Sequence, residues 1–352
     1  MPLDISVTRS QTPRPKPPAT DLGFGRFFTD HMFLADHDGK AWKNARVVPY
    51  GPLSLDPAAA ALHYGQTLFE GMKAYRAKNG RALVFRPKLH AARLNASAER
   101  LCMPALPTEL FDAALRAFLD VDRGWIPVDA GTALYIRPAM IATEAFLGVR
   151  PAKRYTFFII GSPVGNYWGP KPSVLRLWVE THAVRAAKGG IGAAKAGANY
   201  VASLLTAEQA KAQGYSQVLW LDSTHTHVEE VGTMNVFFRF GDTVVTPPLG
   251  GSLLAGVTRD TVLSLLRRWK VKVEERPVAM TEVAEAHDRG QLKEVFGTGT
   301  AAVISAVGEL VWNKRSIKLP DQRGEIAERA YRTLTQLTQS GEPDAEGWLV
   351  EM

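Results

Sequence analysis

The sequence predicts an α/β protein of two domains, and three observations carry that expectation. Its 352 residues exceed the roughly 250–300 at which single hydrophobic cores stop growing. Apolar runs of strand length alternate along the chain with stretches of helical periodicity. Near the middle, over 165–172, glycine and proline dominate (Gly165-Asn-Tyr-Trp-Gly-Pro-Lys-Pro) and periodicity lapses, which reads as a linker. The expected organisation is an N-terminal arm over 1–20, a smaller α/β domain over 21–164, the linker, and a larger domain over 173–352. A composition of 46% hydrophobic and 22% charged residues is that of a chain able to bury a core.

The arm contains Arg9, Arg14 and Lys16, but Pro13, Pro15, Pro17 and Pro18 argue against an amphipathic targeting helix, and no apolar signal segment precedes it. An extended or mobile arm on a cytoplasmic protein is expected. Residues 73–76 and 81–86 read as a hairpin around the turn Lys78-Asn79-Gly80. Two helices follow. The stretch 88–100 carries Leu89, Leu94 and Ala98 at helical spacing, and 108–122 repeats the pattern behind Thr108 as N-cap. Tyr155 to Ile160 is a buried-strand run closed by Gly161-Ser-Pro-Val-Gly165. Beyond the linker, 174–180 and 216–222 read as strands flanking a helix over 200–213, 234–240 as a further strand, and 256–269 as an amphipathic helix.

Composition excludes several function classes. A single cysteine, Cys102, rules out an intrachain disulfide or multi-cysteine metal site; in its apolar surroundings it reads as a small buried hydrophobe. No window approaches the roughly 18 apolar residues of a membrane span. The surplus of 42 basic over 35 acidic residues, +7, raises the question of nucleic acid, but the basic residues are scattered. Small anionic ligands fit better.

Two glycine-rich stretches invite chemistry. Arg185-Ala-Ala-Lys-Gly-Gly-Ile-Gly-Ala-Ala-Lys195-Ala-Gly-Ala-Asn-Tyr200 sets a lysine among glycines just before a helix. A phosphate-binding P-loop fails there, because Ala194 and Ala196 stand where glycine and Ser or Thr are needed. Gly297-Thr-Gly-Thr-Ala-Ala302 formally fits the dinucleotide fingerprint, but only 50 residues follow it, too few for such a domain. It reads better as a tight turn offering backbone N–H groups to an anion. A lysine that carries a carbonyl cofactor as an imine requires further groups: a carboxylate at the ring nitrogen, a donor at the phenolic oxygen, and cationic and backbone donors for a phosphate.

The chain supplies those types in recognisable blocks. In order they are Gly23-Phe-Gly-Arg-Phe-Phe-Thr-Asp-His-Met32, Leu62-His-Tyr-Gly-Gln-Thr-Leu-Phe-Glu-Gly-Met-Lys-Ala-Tyr75, Phe85-Arg-Pro-Lys-Leu-His-Ala-Ala-Arg93 and Tyr135-Ile-Arg-Pro138. Lys195-Ala-Gly-Ala-Asn-Tyr200, Glu230-Val-Gly-Thr-Met-Asn235 and Glu294-Val-Phe-Gly-Thr-Gly-Thr-Ala-Ala302 complete the set. With these the sequence resembles the branched-chain-amino-acid aminotransferases, fold-type-IV enzymes that use pyridoxal 5′-phosphate. The resemblance implies a larger domain built on a pseudo-barrel sheet, an active site between the two domains, and a homodimer. The reaction it implies is ping-pong amino transfer between L-leucine, L-isoleucine or L-valine and 2-oxoglutarate. D-amino-acid transamination or aminodeoxychorismate lysis is the rival within the fold, and a non-catalytic binding module the rival outside it.

Residue by residue, the resemblance makes Lys195 the imine-forming base and Glu230 the partner of the pyridine nitrogen. If 228–231 is extended, Glu229 and Glu230 face opposite sides, and the family pattern selects Glu230. Tyr200, alone a helix-start packing residue, is implied at the phenolic oxygen. Arg93, alone an exposed helix arginine, is implied at the phosphate with Arg185, Val257, Thr258 and Thr300; the pair 257–258 opens a helix, a general anion site. Phe24, Tyr64, Phe69, Tyr135 and Val164 are implied in an apolar side-chain pocket. Thr300 and Ala301 are implied at the α-carboxylate, and Arg137 with Tyr135 at a distal carboxylate; without the family, Arg137 reads equally as half of an ion pair. Ala302 and Ser305 stand where some animal members carry a Cys-x-x-Cys pair, so thiol control of that kind is not expected, and neither is a metal.

Overall fold

The computed structural model describes residues 4–165, 174–320 and 323–352; apart from Gly165 the expected linker lies outside them. Contacts divide the chain into two compact units, Met1–Gly169 with Ala194–Gly197 and Thr335–Met352, and Pro170–Ala193 with Ala198–Leu334. The units interleave in sequence, unlike the contiguous split expected, and the first holds the greater share of residues. Two pairings explain this. Ala196 bridges Leu68, and the terminal strand Leu349–Glu351 pairs with Ala82–Phe85, so two stretches from beyond the linker belong to the first unit.

The first unit is a nine-stranded sheet covered by helices. Its order runs Ser6–Val7, Trp42–Pro49, His31–His37, Tyr155–Val164, Ala133–Ala142, Met72–Arg76, Ala82–Phe85, Leu349–Glu351, with Thr67–Phe69 added on Ala133–Ala142. The arm is extended and held: Ser6–Val7 pairs in parallel with Arg46 and Val47, and the Arg14 N–H donates to Asp30 at 2.8 Å. The expected hairpin forms, with Gly80 at φ +81° in its turn, a conformation open to glycine at no steric cost.

Tyr155–Val164 runs straight through the glycine expected to end it. A Cβ on Gly161 would lie 2.8 Å from Thr29 Cγ2 and 2.9 Å from Phe118 Cζ. That glycine marks close packing over a central strand. The helices Pro87–Arg100 and Thr108–Asp122 match their expected spans, except that Pro107 holds the cap position and Thr108 is already helical, with no side-chain cap. Leu110, Phe111, Ala114, Leu115, Phe118 and Leu119 of the second helix are buried, each large side chain contributing roughly 1.5–3 kcal/mol.

Cys102 is exposed, contrary to expectation. It occupies a left-handed turn, φ +54°, where the Met103 N–H reaches back to Ala98 O at 2.8 Å. This closure places Met103 in the core in its stead.

The second unit carries the pseudo-barrel. Its sheet runs Val228–Val231, Gln217–Leu221, Leu175–Val179, Val303–Trp312, Leu292–Gly299, Met234–Phe240, Thr243–Thr246, Lys272–Glu275, with Arg315–Lys318 on Val303–Trp312. A further pairing of Val228–Val231 with Met234–Phe240 closes the first six strands into a ring. Phe237 and Phe296 stack at 5.1 Å on neighbouring strands of it. The expected helix 200–213 is two pieces, Gly197–Val201 and Leu204–Ala212; the Ser203 hydroxyl donates to Tyr200 O and competes with helix continuation. Val257–Arg268 forms as expected behind Gly256, whereas Met280–Asp288 had no forecast.

Candidate active site

In the first unit the glycine-flanked lysine is fastened by its backbone. The Lys195 N–H donates to Ser97 Oγ at 2.9 Å, its carbonyl accepts from the Phe69 N–H at 3.0 Å, and the Ser97 hydroxyl donates to Arg93 O. Helix Pro87–Arg100 and strand Thr67–Phe69 therefore aim its side chain, whose Nζ lies 4.9 Å from the centre of the Phe69 ring. Burial and then the charge of Arg93 bring the amine down to about 8, Glu70 and Tyr135 opposing. Desolvation disfavours the ammonium, so the free, nucleophilic amine is far more populated near neutral pH than in an ordinary lysine, although the ammonium still predominates.

Around the same ring stands a second cation. The Arg137 guanidinium lies 4.6 Å from the centre of Phe69 and 5.3 Å from that of Tyr135, and it donates to the Tyr135 hydroxyl at 3.2 Å. Phe24 meets Tyr135 edge-on at 4.9 Å, and Val164 and Tyr75 join the cluster. Among the described residues no carboxylate pairs with Arg137, and its buried Nε and Ser162 Oγ have no hydrogen-bond partner. The structural ion-pair reading of Arg137 therefore lacks its acid. Tyr64 is not in this cluster; it is 43% exposed, and its hydroxyl donates to Leu147 O.

The second unit organises a carboxylate. Glu230 lies on Val228–Val231, is 2% exposed, and accepts at Oε1 from the Leu254 N–H at 3.0 Å and Asn235 Nδ2 at 3.3 Å. Arg185 Nε stands 3.0 Å from its Oε2, and that guanidinium also donates to Ser252 O. Arg185 is thus engaged with Glu230 and Ser252. Both neighbouring glutamates are buried, on opposite faces: Glu229 receives the Ser252 hydroxyl, and burial pushes its carboxyl up.

Val257 and Thr258 open the helix Val257–Arg268 and are buried. Its first i to i−4 bond joins the Asp260 N–H to Gly256 O, which leaves the N–H groups of 257–259 without intrahelical acceptors. Gly256 is required there, since a Cβ would fall 2.0 Å from Asn235 Oδ1. Thr300 and Ala301 form the turn between Leu292–Gly299 and Val303–Trp312. A hairpin follows the strand where a dinucleotide site needs a helix. Gly297 and Gly299 are small because Met234 packs on them, 2.9 and 3.2 Å from where a Cβ would stand. Tyr200 sits half-buried on Gly197–Val201.

A family profile described as amino-transferase class IV matches residues 67–310. The chain is a class IV aminotransferase. Branched-chain-amino-acid aminotransferase 2 of Bacillus subtilis is 47% identical over 99% of this chain and 97% of its own length. The structure of the Escherichia coli branched-chain amino acid aminotransferase matches with a TM-score of 0.75 at 27% identity, over 91% of this chain and 98% of that one. The T.th. branched-chain amino acid aminotransferase, solved with pyridoxamine 5′-phosphate, gives 0.74 at 26%, over 90% and 97%. Class IV aminotransferases depend on pyridoxal 5′-phosphate.

Within this aminotransferase the sequence reading missed Glu70, His90, Ser97, Asn235 and Ser252. Glu70 carried a usable signal, a lone carboxylate inside Leu68-Phe69-Glu70-Gly71-Met72, since a buried charge demands a partner. The others are ordinary polar residues until the fold brings them to Glu70, Lys195, Glu230 and Glu229. Among the described residues no helix is long and apolar enough to cross a membrane, and no cluster of His, Cys, Asp and Glu could hold a metal ion.

Proposed function

We propose that this chain transfers the amino group of L-leucine, L-isoleucine or L-valine to 2-oxoglutarate in the cytoplasm, using pyridoxal 5′-phosphate on Lys195. The observation that carries the reading is Arg137, a partly buried cation with no carboxylate partner among the described residues, set between Phe69 and Tyr135. One lining of this kind serves both substrates: the rings and Val164 receive a branched apolar side chain, and the guanidinium receives the distal carboxylate of glutamate. The names of the relatives at 47% and 27% identity support the same substrate class.

The residues fit the cofactor. Lys195 has a depressed ammonium, Glu230 is a fixed buried carboxylate held by Arg185, Leu254 and Asn235, and the helix start at Val257 and Thr258 presents N–H groups suited to a phosphate. Pyridoxal phosphate, when bound, supplies the electron sink for the substrate α-carbon. Glu230 holds the ring nitrogen protonated, Arg93 and the 257–258 N–H groups hold the phosphate with Thr300, Tyr200 donates to the phenolic oxygen, and Lys195 Nζ moves the proton. Thr300 and Ala301 receive the α-carboxylate, and Phe24, edge-on to Tyr135, completes the apolar lining. The working form is a homodimer, supported by the exposed apolar Leu62, Leu147 and Val149; an active monomer in light scattering contradicts this.

The test is a substrate panel with purified protein and added cofactor. Glutamate formation from 2-oxoglutarate with L-leucine, L-isoleucine and L-valine is expected, with parallel lines in double-reciprocal plots. Turnover of D-alanine without L-leucine overturns the reading.

A further inference from the structure

Glu70 has no exposed surface, yet nothing in the proposed chemistry uses it. Both of its oxygens are engaged: Arg93 Nε donates to Oε1 at 2.7 Å and Arg93 Nη2 to Oε2 at 2.8 Å, His90 Nδ1 lies 2.7 Å from Oε2, and the Gly71 N–H adds 3.2 Å. Burial alone would raise this carboxyl, but the guanidinium and His90 outweigh it and hold Glu70 well below the usual carboxylate range. Burial lowers His90, against Glu70, so the imidazole is neutral and the cluster is one anion paired with one cation.

His90, Arg93 and Ser97 fall on one face of the helix Pro87–Arg100, at the i, i+3, i+7 spacing. That face grips Glu70 through the first two and the Lys195 N–H through Ser97. From the other side, Phe69, next to Glu70, donates its N–H to Lys195 O. We propose that Glu70 is a positioning residue, fixing the plane of Arg93 for the cofactor phosphate and placing one buried negative charge next to Phe69, the strand residue that fastens Lys195. This rests on Lys195 and Arg93 holding the cofactor as read above. The charged and titratable groups near Lys195 include Arg93 and Arg137, which oppose its proton, Glu70 and Tyr135, which favour it, and His90, whose own proton Lys195 opposes. A two-point fork also restricts the guanidinium to one plane, which a single contact would not do.

The experiment uses full-length holoenzyme. Wild type, Lys195→Ala, Glu70→Gln and Glu70→Asp are loaded with pyridoxal 5′-phosphate; its Kd is read by equilibrium dialysis and the pH midpoint of the visible band by titration. Glu70→Gln keeps shape and removes charge, so the midpoint falls by about one unit and the Kd rises about tenfold or more. Glu70→Asp keeps charge but withdraws the carboxylate by one methylene, so the Kd rises while the midpoint stays within about 0.3 units. A folded Glu70→Gln whose midpoint and Kd match wild type overturns the proposal. If Glu70→Gln does not fold, an unchanged Kd in Glu70→Asp overturns it instead. Wild type without a band, or a band that persists in Lys195→Ala, sinks the cofactor reading itself and this inference with it.

Discussion

Replacing Arg137 by glutamine is expected to separate the two half-reactions. The guanidinium lies between the rings of Phe69 and Tyr135, donates to the Tyr135 hydroxyl, and has no carboxylate partner among the described residues. The substitution therefore breaks no ion pair, and its cost to folding is that of two ring contacts, roughly 0.5–2 kcal/mol. Loss of one partner from a buried charge pair costs about 2–5 kcal/mol; Arg137 is only partly buried, so the lower half of that range applies. The rate constant over Kd for 2-oxoglutarate or L-glutamate should fall roughly 30- to 300-fold. L-Leucine makes no use of the cation and should fall less than about threefold. Single-turnover absorbance changes, one half-reaction at a time, measure both numbers on the same protein. Equal losses for leucine and glutamate would refute the assignment of Arg137 to the distal carboxylate.

Three further outcomes are expected. Association of pyridoxal 5′-phosphate with apoprotein should accelerate as pH rises through about 8 and then level, because the Lys195 amine, lowered by burial and Arg93, is nucleophilic only when deprotonated; stopped-flow absorbance with a midpoint near 10.5, the ordinary lysine value, contradicts it. Gly71→Ala would place a Cβ 1.8 Å from the Tyr135 hydroxyl and 2.7 Å from Cζ; overpacking of about 1–3 kcal/mol in urea unfolding, with a raised KM for 2-oxoglutarate, is expected, and a variant indistinguishable from wild type speaks against the placement of Tyr135. Glu230→Gln should retain bound cofactor yet lose roughly 10²–10³ in kcat, measured with L-leucine; full activity would remove Glu230 from the ring nitrogen.

The local periods made much of the fold legible. Leu110, Phe111, Leu115, Phe118 and Leu119 spell a helix face by spacing alone, and the run from Tyr155 announces a buried strand. What failed was local punctuation overruled by tertiary contacts. Gly161 looked like a stop because its sequence neighbours are a serine and a proline, but its neighbours in space are Thr29 and Phe118. Cys102 looked buried because of the apolar residues beside it, but the turn gives the core position to Met103. At the site, family blocks singled out Lys195 and Glu230 for the cofactor. Glu70 was not singled out, because its partners His90 and Arg93 come from a helix 20 and 23 residues onward. Arg185 is a related case: a guanidinium in a glycine-rich segment serves a phosphate or a carboxylate equally well, and nothing in the sequence shows that Glu230 lies 3.0 Å from it.

The first unit is stitched from three distant pieces of chain, 1–169, 194–197 and 335–352. Its edge strand Leu349–Glu351 comes more than 260 residues after its partner Ala82–Phe85. Such pairings carry high contact order and slow the search for the native state. During synthesis the early sheet must wait, with the edge at Ala82–Phe85 uncovered, until Leu349–Glu351 has left the ribosome. At about 5–20 residues per second, that edge stands open for tens of seconds. Lys195, whose backbone is fastened to Ser97 and Phe69, arrives well inside this interval, so it is delivered to a scaffold that is still unfinished. A chain shortened by its last few residues would therefore lose refolding yield before it lost chemistry.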